Sequence, residues 1–399
     1  MEELKAILFF SISVFLSLPV YSQIEAQGHH RAIFATKRSQ IVGAEKESIT
    51  YGVVNNGLTV LYSNDPHIFE ASYELFSSLN SIRDPVYFSS LESDVVSYRA
   101  YELPRYLVKN NLYNSKSVRV EQNLDRLYYG FSNDLLSVTA GRQAIGFGVA
   151  RTVNPTDVIA PFNLVMIDTE QRYGNDAIRA HISTTDLSEI DFGAIFGENL
   201  EDKNNAYFVS AKFPVLNWDL EFLVNRFKKN LLYGANFSGN IKGAGAWLEL
   251  AYNDLKKDNR LNYLRSSTGL EYLFPIDLTI LAEYHYSEAG SRNYQDYGSI
   301  SSSMAFLEAG VYLLAKNYLI VGLTYLISPL VNISMSQMTN LDDSSLLFTP
   351  GFEWNIEQDL TIDVGASIGL GRKSSTRLAP KSEFGSYDNS IYTKLRYYF

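Results

Sequence analysis

Five histidines, at positions 29, 30, 67, 181 and 285, are the only side chains in the chain that titrate near neutral pH without a perturbed environment. No Gly-x-Ser-x-Gly elbow accompanies them. Covalent hydrolysis would need a serine within hydrogen-bond reach of one of these rings, and alternation puts His181 and His285 on polar strand faces beside other charges. The adjacent pair His29-His30 lacks the spacing of a metal site, and there is no cysteine to complete one. No enzyme, metal or cofactor is expected. What remains is charge. Arg126, Arg179, His181, Lys394 and Arg396 fall on early strands and on the last one, whereas Asp219, Glu221, Glu249, Glu271, Glu283, Glu308, Glu353 and Asp363 fall on later strands, with Lys212 and Arg265 interrupting the separation. Opposed arcs of this kind would orient charged or dipolar solutes; the alternative is that the charges pair and only stabilise the wall.

The elements that carry these charges alternate with period two. In the C-terminal segment, Thr393, Leu395, Tyr397 and Phe399 share one face, and Tyr392, Lys394, Arg396 and Tyr398 share the other. That is how a strand reads with lipid on one side and a wet lumen on the other. Leu395, Tyr397 and Phe399 would also form the signal by which a barrel-assembly machinery receives the chain. The same pattern recurs over Ala244–Tyr252, Leu278–Tyr286 and Leu360–Leu370, each with a greasy face and a polar or small one. At the other end, Ala6–Val20 is an apolar run of signal-peptide length followed by Val20-Tyr21-Ser22, which predicts cleavage after Ser22. Beyond it no stretch of membrane-helix length occurs, while aromatics make up 14% of the chain and tyrosine alone occurs 28 times, enough for girdles at two membrane interfaces. The net charge of −10 removes the basic face that a nucleic-acid partner would need.

These observations predict an all-β transmembrane antiparallel barrel in the outer membrane of a Gram-negative-type bacterium, with lipids and small-molecule solutes as partners. Loop lengths fit that topology. Tight connections are expected on the periplasmic side at Ser132–Asp134, Thr184–Ser188, Pro214–Leu216, Gly239–Lys242, Pro275-Ile276, Lys316-Asn317 and Ile356–Gln358. Longer external ones are expected at Ala144–Gly174, Leu200–Asn205, Leu255–Arg260, Glu288–Ser302, Pro329–Ser345 and Arg372–Asn389. Counting from Tyr98 gives 16 strands; Phe69–Leu79 breaks the parity unless Ile49–Tyr62 pairs with it to make 18. The expected division is a signal peptide over 1–22, a periplasmic or barrel-mouth segment over 23–67, and the barrel over 68–399. Either count leaves a lumen too wide for wall side chains to fill.

Within residues 118–182 the sequence runs Asp125-Arg126-Leu127-Tyr128, Gly141-Arg142-Gln143, Gly146-Phe147-Gly148, Asn154-Pro155-Thr156-Asp157, Pro161-Phe162 and Ile167-Asp168-Thr169-Glu170. This order resembles a largely uncharacterised group of porin-like outer-membrane barrels carrying DRLY, GRQ, NPxD, PF and IDxEY motifs. Phe147 stands where such sequences usually have tryptophan, and Gln171 where an aromatic usually follows the glutamate. The resemblance implies a porin or substrate-selective channel for passive diffusion, and leaves room for a homo-oligomer. It names no solute.

The connection from Ala144 to Gly174 has too many apolar residues, Val158, Ile159, Phe162 and Leu164–Ile167 among them, to be content in water. It is therefore expected to fold inward and narrow the pore, placing Arg142, Asp157, Asp168 and Glu170 at the constriction. Alternation from Leu136, Val138 and Ala140 would send Arg142 toward lipid, so a bulge at Gly141 is expected to turn it inward. A structural or adhesive barrel, recognising a surface ligand through Ala289–Ile300 and Ser374–Tyr387, is the competing reading.

Overall fold

The computed structural model describes residues 23–38, 48–80, 98–111, 117–161, 172–255, 261–310, 312–374 and 380–399. The expected leader falls on residues 1–22, outside the described residues. Nineteen strands follow in order: β1 (Ile24–Arg38), β2 (Ser48–Asn64), β3 (His67–Asn80), β4 (Tyr106–Asn111), β5 (Ser117–Ser132), β6 (Leu136–Ala144), β7 (Gly174–Thr185), β8 (Ser188–Phe196), β9 (Ala206–Val215), β10 (Trp218–Phe227), β11 (Asn230–Ile241), β12 (Ala244–Leu255), β13 (Leu261–Phe274), β14 (Leu278–Ser287), β15 (Asn317–Ser328), β16 (Val331–Asn340), β17 (Leu346–Glu357), β18 (Leu360–Leu370) and β19 (Asn389–Tyr398). All neighbours are antiparallel, and β19 returns to pair with β1, with Ala32 opposite Leu395 and Phe34 opposite Thr393. Closure leaves no edge to be satisfied by lipid. Because β3 pairs β5 along its whole length, and β4 adds only to β5 between Ser117 and Glu121, the closed wall has 18 strands.

The 16-strand expectation is thus corrected to its alternative, with a different inventory. The segment beginning at Tyr98 is not a wall strand. Nor is the stretch before Lys316, which holds two short helices, α1 (Tyr297–Ile300) and α2 (Met304–Glu308). Four strands enter instead: β1, β2, β3 and β16. Residues 23–67, expected as a periplasmic or mouth segment, supply two of them. The error over 300–340 has a physical cause. Ala305, Ala309, Leu313 and Ala315 are apolar because they are buried inside the barrel, not because they face lipid. Val331–Asn340 reads as a loop because its inward face is Asn332, Ser334 and Ser336. Lys316-Asn317 is therefore no tight turn, and Pro329–Ser345 contains one, at residues 329–330, followed by a strand.

Lys228-Lys229, between β10 and β11, is a tight turn at the end of the long connections. Gln23, Phe399 and the other tight turns share the opposite end, where Gly28 and Phe399 exchange backbone hydrogen bonds of 2.8 and 3.0 Å. Local turn chemistry closes these links: Asn133 Oδ1 accepts from Leu135 N and Leu136 N, and Asn240 Oδ1 from Gly243 N. The outer surface is apolar, with Ile178 at 52%, Phe222 at 49% and Val364 at 41% exposed. Tyr129, Tyr272, Tyr325, Trp354 and Tyr397 form an exposed aromatic row near the terminus end. The inner face is polar: Glu249 is fully buried while its strand neighbour Tyr252 is exposed. Among the described residues no helix is long and apolar enough to cross a membrane.

Candidate functional site

Residues 145–161 leave β6 and lie against the inside of the wall from β8 to β14. Ile145, Phe147, Val158 and Ile159 are buried in one apolar cluster with Ile195, Phe208, Leu223 and Leu232 of β8–β11. The ring of Phe147 meets that of Phe208 edge-on, with centroids 5.1 Å apart. The apolar residues of 145–159 are thus satisfied by wall residues on the inner face; Phe162 and Leu164–Ile167 lie outside the described residues.

Two wall carboxylates fasten the loop backbone. Glu249, from β12, accepts from Val149 N (2.8 Å), Ala150 N (2.9 Å), Thr156 N (2.7 Å), Thr156 Oγ1 (2.7 Å) and Asn154 Nδ2 (3.3 Å). Glu283, from β14, accepts from Arg151 N (2.9 Å), Thr152 N (3.3 Å) and Val153 N (3.0 Å), and also from the wall residue Trp247 through Nε1 (3.1 Å). A buried irregular backbone must have its amides paired, and charge-assisted bonds to carboxylates are the strong kind. Gly148 makes the approach sterically feasible: its φ is +105°, and a Cβ there would stand 2.8 Å from both oxygens of Glu249. On the carbonyl side, Ser267 Oγ lies 2.6 Å from Val153 O, and the buried Arg265 guanidinium lies 3.5 Å from Pro155 O.

A second polar cluster ties the base of the loop to β5–β7. Asp157, fully buried, pairs with Arg172 and accepts from Ile159 N and Ala160 N. Arg126 in turn pairs with Asp125 and donates to Arg172 O at 2.7 Å. Asp125 is an extra residue in β5: the register against β3 shifts between Ser72 and Tyr73, which sends Asp125 and Arg126 to the same side. Arg142 is 5% exposed. It donates to Asp176 at 2.7 and 3.1 Å, to Leu124 O at 2.9 Å and to Tyr101 O. Gly141 does adopt a positive φ of +123°, yet β5 and β6 stay in register through Arg142. The bulge lies in the partner strand, not at Gly141, and the guanidinium is kept from lipid by Asp176 and the segment around Tyr101.

Glu271 lies 3.9 Å from Arg151 of the loop; the following sequence-derived candidates sit apart from it, mostly in pairs. Arg179 forms a two-pronged pair with Asp191, with distances of 2.6 to 3.0 Å. His181 lies 3.4 Å from Glu189. Arg396 joins Glu353 (2.7 Å) and Asp363 (2.8 Å), and Lys394 stands opposite Asp363 in the β18–β19 register. Glu308 belongs to α2, not to the wall. Asp168 and Glu170 lie outside the described residues. Asp125 stood in the sequence only as the first residue of the DRLY motif, with no role assigned; Arg172, Asp176, Trp247 and Ser267 were missed, and of these four only Arg172, two positions beyond the Ile167–Glu170 motif, had a neighbouring signal.

The geometry speaks against nucleophilic chemistry at the one buried Ser–His contact among the described residues. His285 Nδ1 is 2.8 Å from Ser267 Oγ, but both are sealed from solvent and the hydroxyl is engaged with Val153 O. His29 and His30 are consecutive residues of β1 and point to opposite faces, so they cannot share a metal. Their place in a wall strand goes with the correction of residues 23–67 from a periplasmic or barrel-mouth segment.

A closed barrel with an apolar exterior, a polar interior and connections folded inside defines the porin-like class of folds. Comparison with solved structures agrees with that assignment. A BenF-like porin from Pseudomonas fluorescens Pf-5 superimposes with a TM-score of 0.59 at 9% identity, covering 96% of this chain and 100% of the other. OccAB2 of Acinetobacter baumannii gives 0.55 at 8% identity, over 96% and 99%. OccK7 (OpdD) of Pseudomonas aeruginosa gives 0.55 at 9% identity, over 95% and 99%. The likeness is one of fold. No family model matches the chain, and no curated protein matches it in sequence.

Proposed function

We propose that the chain is an outer-membrane channel for passive or weakly selective diffusion of small solutes, in which the inward connection forms the constriction. The observation that carries this reading is the pinning of residues 149–156 to the inner wall by Glu249 and Glu283. A barrel that served only as a scaffold or adhesin would have no need to fix a loop across its interior by two buried carboxylates. Arg126, Arg142 and Asp157 anchor the loop base, while Arg179, His181, Lys394, Arg396 and Asp363 line the inner wall as paired charges. The supply of lipid-facing residues and the alternating last strand support insertion in an outer membrane after removal of a leader ending at Ser22.

The test is conductance in planar bilayers. Replacing Glu249 and Glu283 together by alanine removes the acceptors for the loop amides, and the expected outcome is a single-channel conductance raised about twofold or more as the loop leaves the wall. A wild-type protein that inserts but conducts no ion or neutral solute would discard the channel reading in favour of the adhesive one.

A further inference from the structure

At the end opposite the termini, three connections meet over one buried carboxyl. Glu383, in the 371–388 connection, is 1% exposed. Its oxygens accept from Leu314 N (2.9 Å), from Tyr318 Oη at the start of β15, and from Asn340 Nδ2 (2.9 Å) at the end of β16. Its own backbone N–H donates to Asp343 Oδ2 (2.8 Å) in the 341–345 connection, and Phe384 N donates to Ser345 Oγ (3.1 Å). Asn340 also reaches Tyr297 Oη of α1 at 3.0 Å. Tyr297, Leu313, Tyr318, Leu347 and Phe384 close around this point as an apolar cluster.

We propose that residues 288–310, 312–316, 341–345, 371–374 and 380–388, from three connections, form a pH-responsive latch over this mouth, closed while the Glu383 carboxyl is protonated and loosened when it ionises. The acidic and phenolic groups facing it are Asp343 from the 341–345 connection, Tyr297 from α1, Tyr318 from β15, and Tyr387 from its own connection. The nearby cations are engaged elsewhere: Arg372 stacks over Tyr294 at 4.4 Å, and Arg292 faces Asp342 at 4.0 Å. Among the described residues none lies within ion-pair distance of Glu383. An ionised Glu383 therefore sits buried beside Asp343 with dipoles alone to hold it. Burial, reinforced by Asp343, lifts its carboxyl from the ordinary value of 4.5 to about 7, while burial also keeps the Tyr297 and Tyr387 phenols neutral. Because the latched state binds the proton more tightly than the released one, latching is strongest below about pH 4.5 and is lost as the pH rises through about 7.

The latch bears on the inner loop. Tyr318 lies against His285, with ring centroids 6.2 Å apart; His285 meets Ser267, and Ser267 holds Val153 O. Val153 itself packs against the same apolar cluster.

The experiment is amide hydrogen exchange on the full chain in detergent at pH 5.5, 7 and 8.5, normalised to intrinsic rates, and it does not depend on conduction. Protection of the Leu314 and Phe384 amides should fall by about tenfold or more across this range, with a midpoint near pH 7; the Val153 amide should follow it. Glu383→Gln, neutral at every pH, should abolish the dependence. A flat wild-type profile, or an equal loss in Glu383→Gln, would overturn the latch. Should that variant not assemble, Asp343→Asn must move the midpoint to lower pH, and an unmoved midpoint overturns the proposal as well. An unchanged Val153 amide refutes the coupling to the inner loop.

Discussion

Arg142 shows how a charge survives in a position that strand alternation assigns to lipid. Its guanidinium is filled by Asp176 and two backbone carbonyls, and Asp176 is further fixed by Ala100 N at 2.8 Å. Removing one partner of such a buried pair leaves the other charge and the carbonyls unsatisfied, which costs about 3 kcal/mol or more. Arg142→Ala should therefore lower barrel stability by roughly that amount. Urea unfolding in detergent or lipid measures it, and a loss under 1 kcal/mol would show that the cluster is not a stabilising unit. The sequence made Arg142 conspicuous through its parity and its Gly141 neighbour. It could not reveal Asp176, because the pairing depends on β6 and β7 lying side by side with the long connection between them.

At the scale of elements, residues 145–161 of the inward connection form a segment without regular secondary structure, held in one shape by its partners. Its composition made the inward course legible: an apolar run that long has no stable place in water. The anchoring sites were legible only as inward-facing acids, because strand parity gives the face but not which oxygen meets which amide. Glu249 and Glu283 prove to be fasteners for backbone amides as well as wall charges. Gly148 is where the element is most vulnerable, since a side chain would face both the strain of positive φ and the Glu249 oxygens. Gly148→Val is expected to cost about 2 kcal/mol and to raise open-channel noise by letting the loop detach. Unchanged stability and quiet conductance would place the loop's rigidity elsewhere.

For the molecule as a whole, the decisive contact is the seam between β1 and β19. Ala32 and Leu395 face each other across it on the outer surface, and opposed antiparallel residues have Cα atoms about 4.5 to 5.5 Å apart, a separation that a disulfide spans. The chain contains no cysteine. The double substitution Ala32→Cys, Leu395→Cys should thus cross-link spontaneously under oxidation, shifting the mobility of the unfolded chain. Failure to cross-link in a folded, inserted protein would remove β1 from the wall and reopen the strand count.

Residue alternation by itself settled the fold class and the facing of most wall residues, because period-two burial is a local property that each strand displays alone; apolar composition settled the inward course of residues 145–161. It did not settle the strand inventory. Whether Val331–Asn340 or the apolar stretch ending at Lys316 belongs to the wall depends on what fills the lumen, and whether residues 24–64 join it depends on where β19 finds its partner. Those are contacts between segments far apart in the chain, and they exist only once the cylinder has closed.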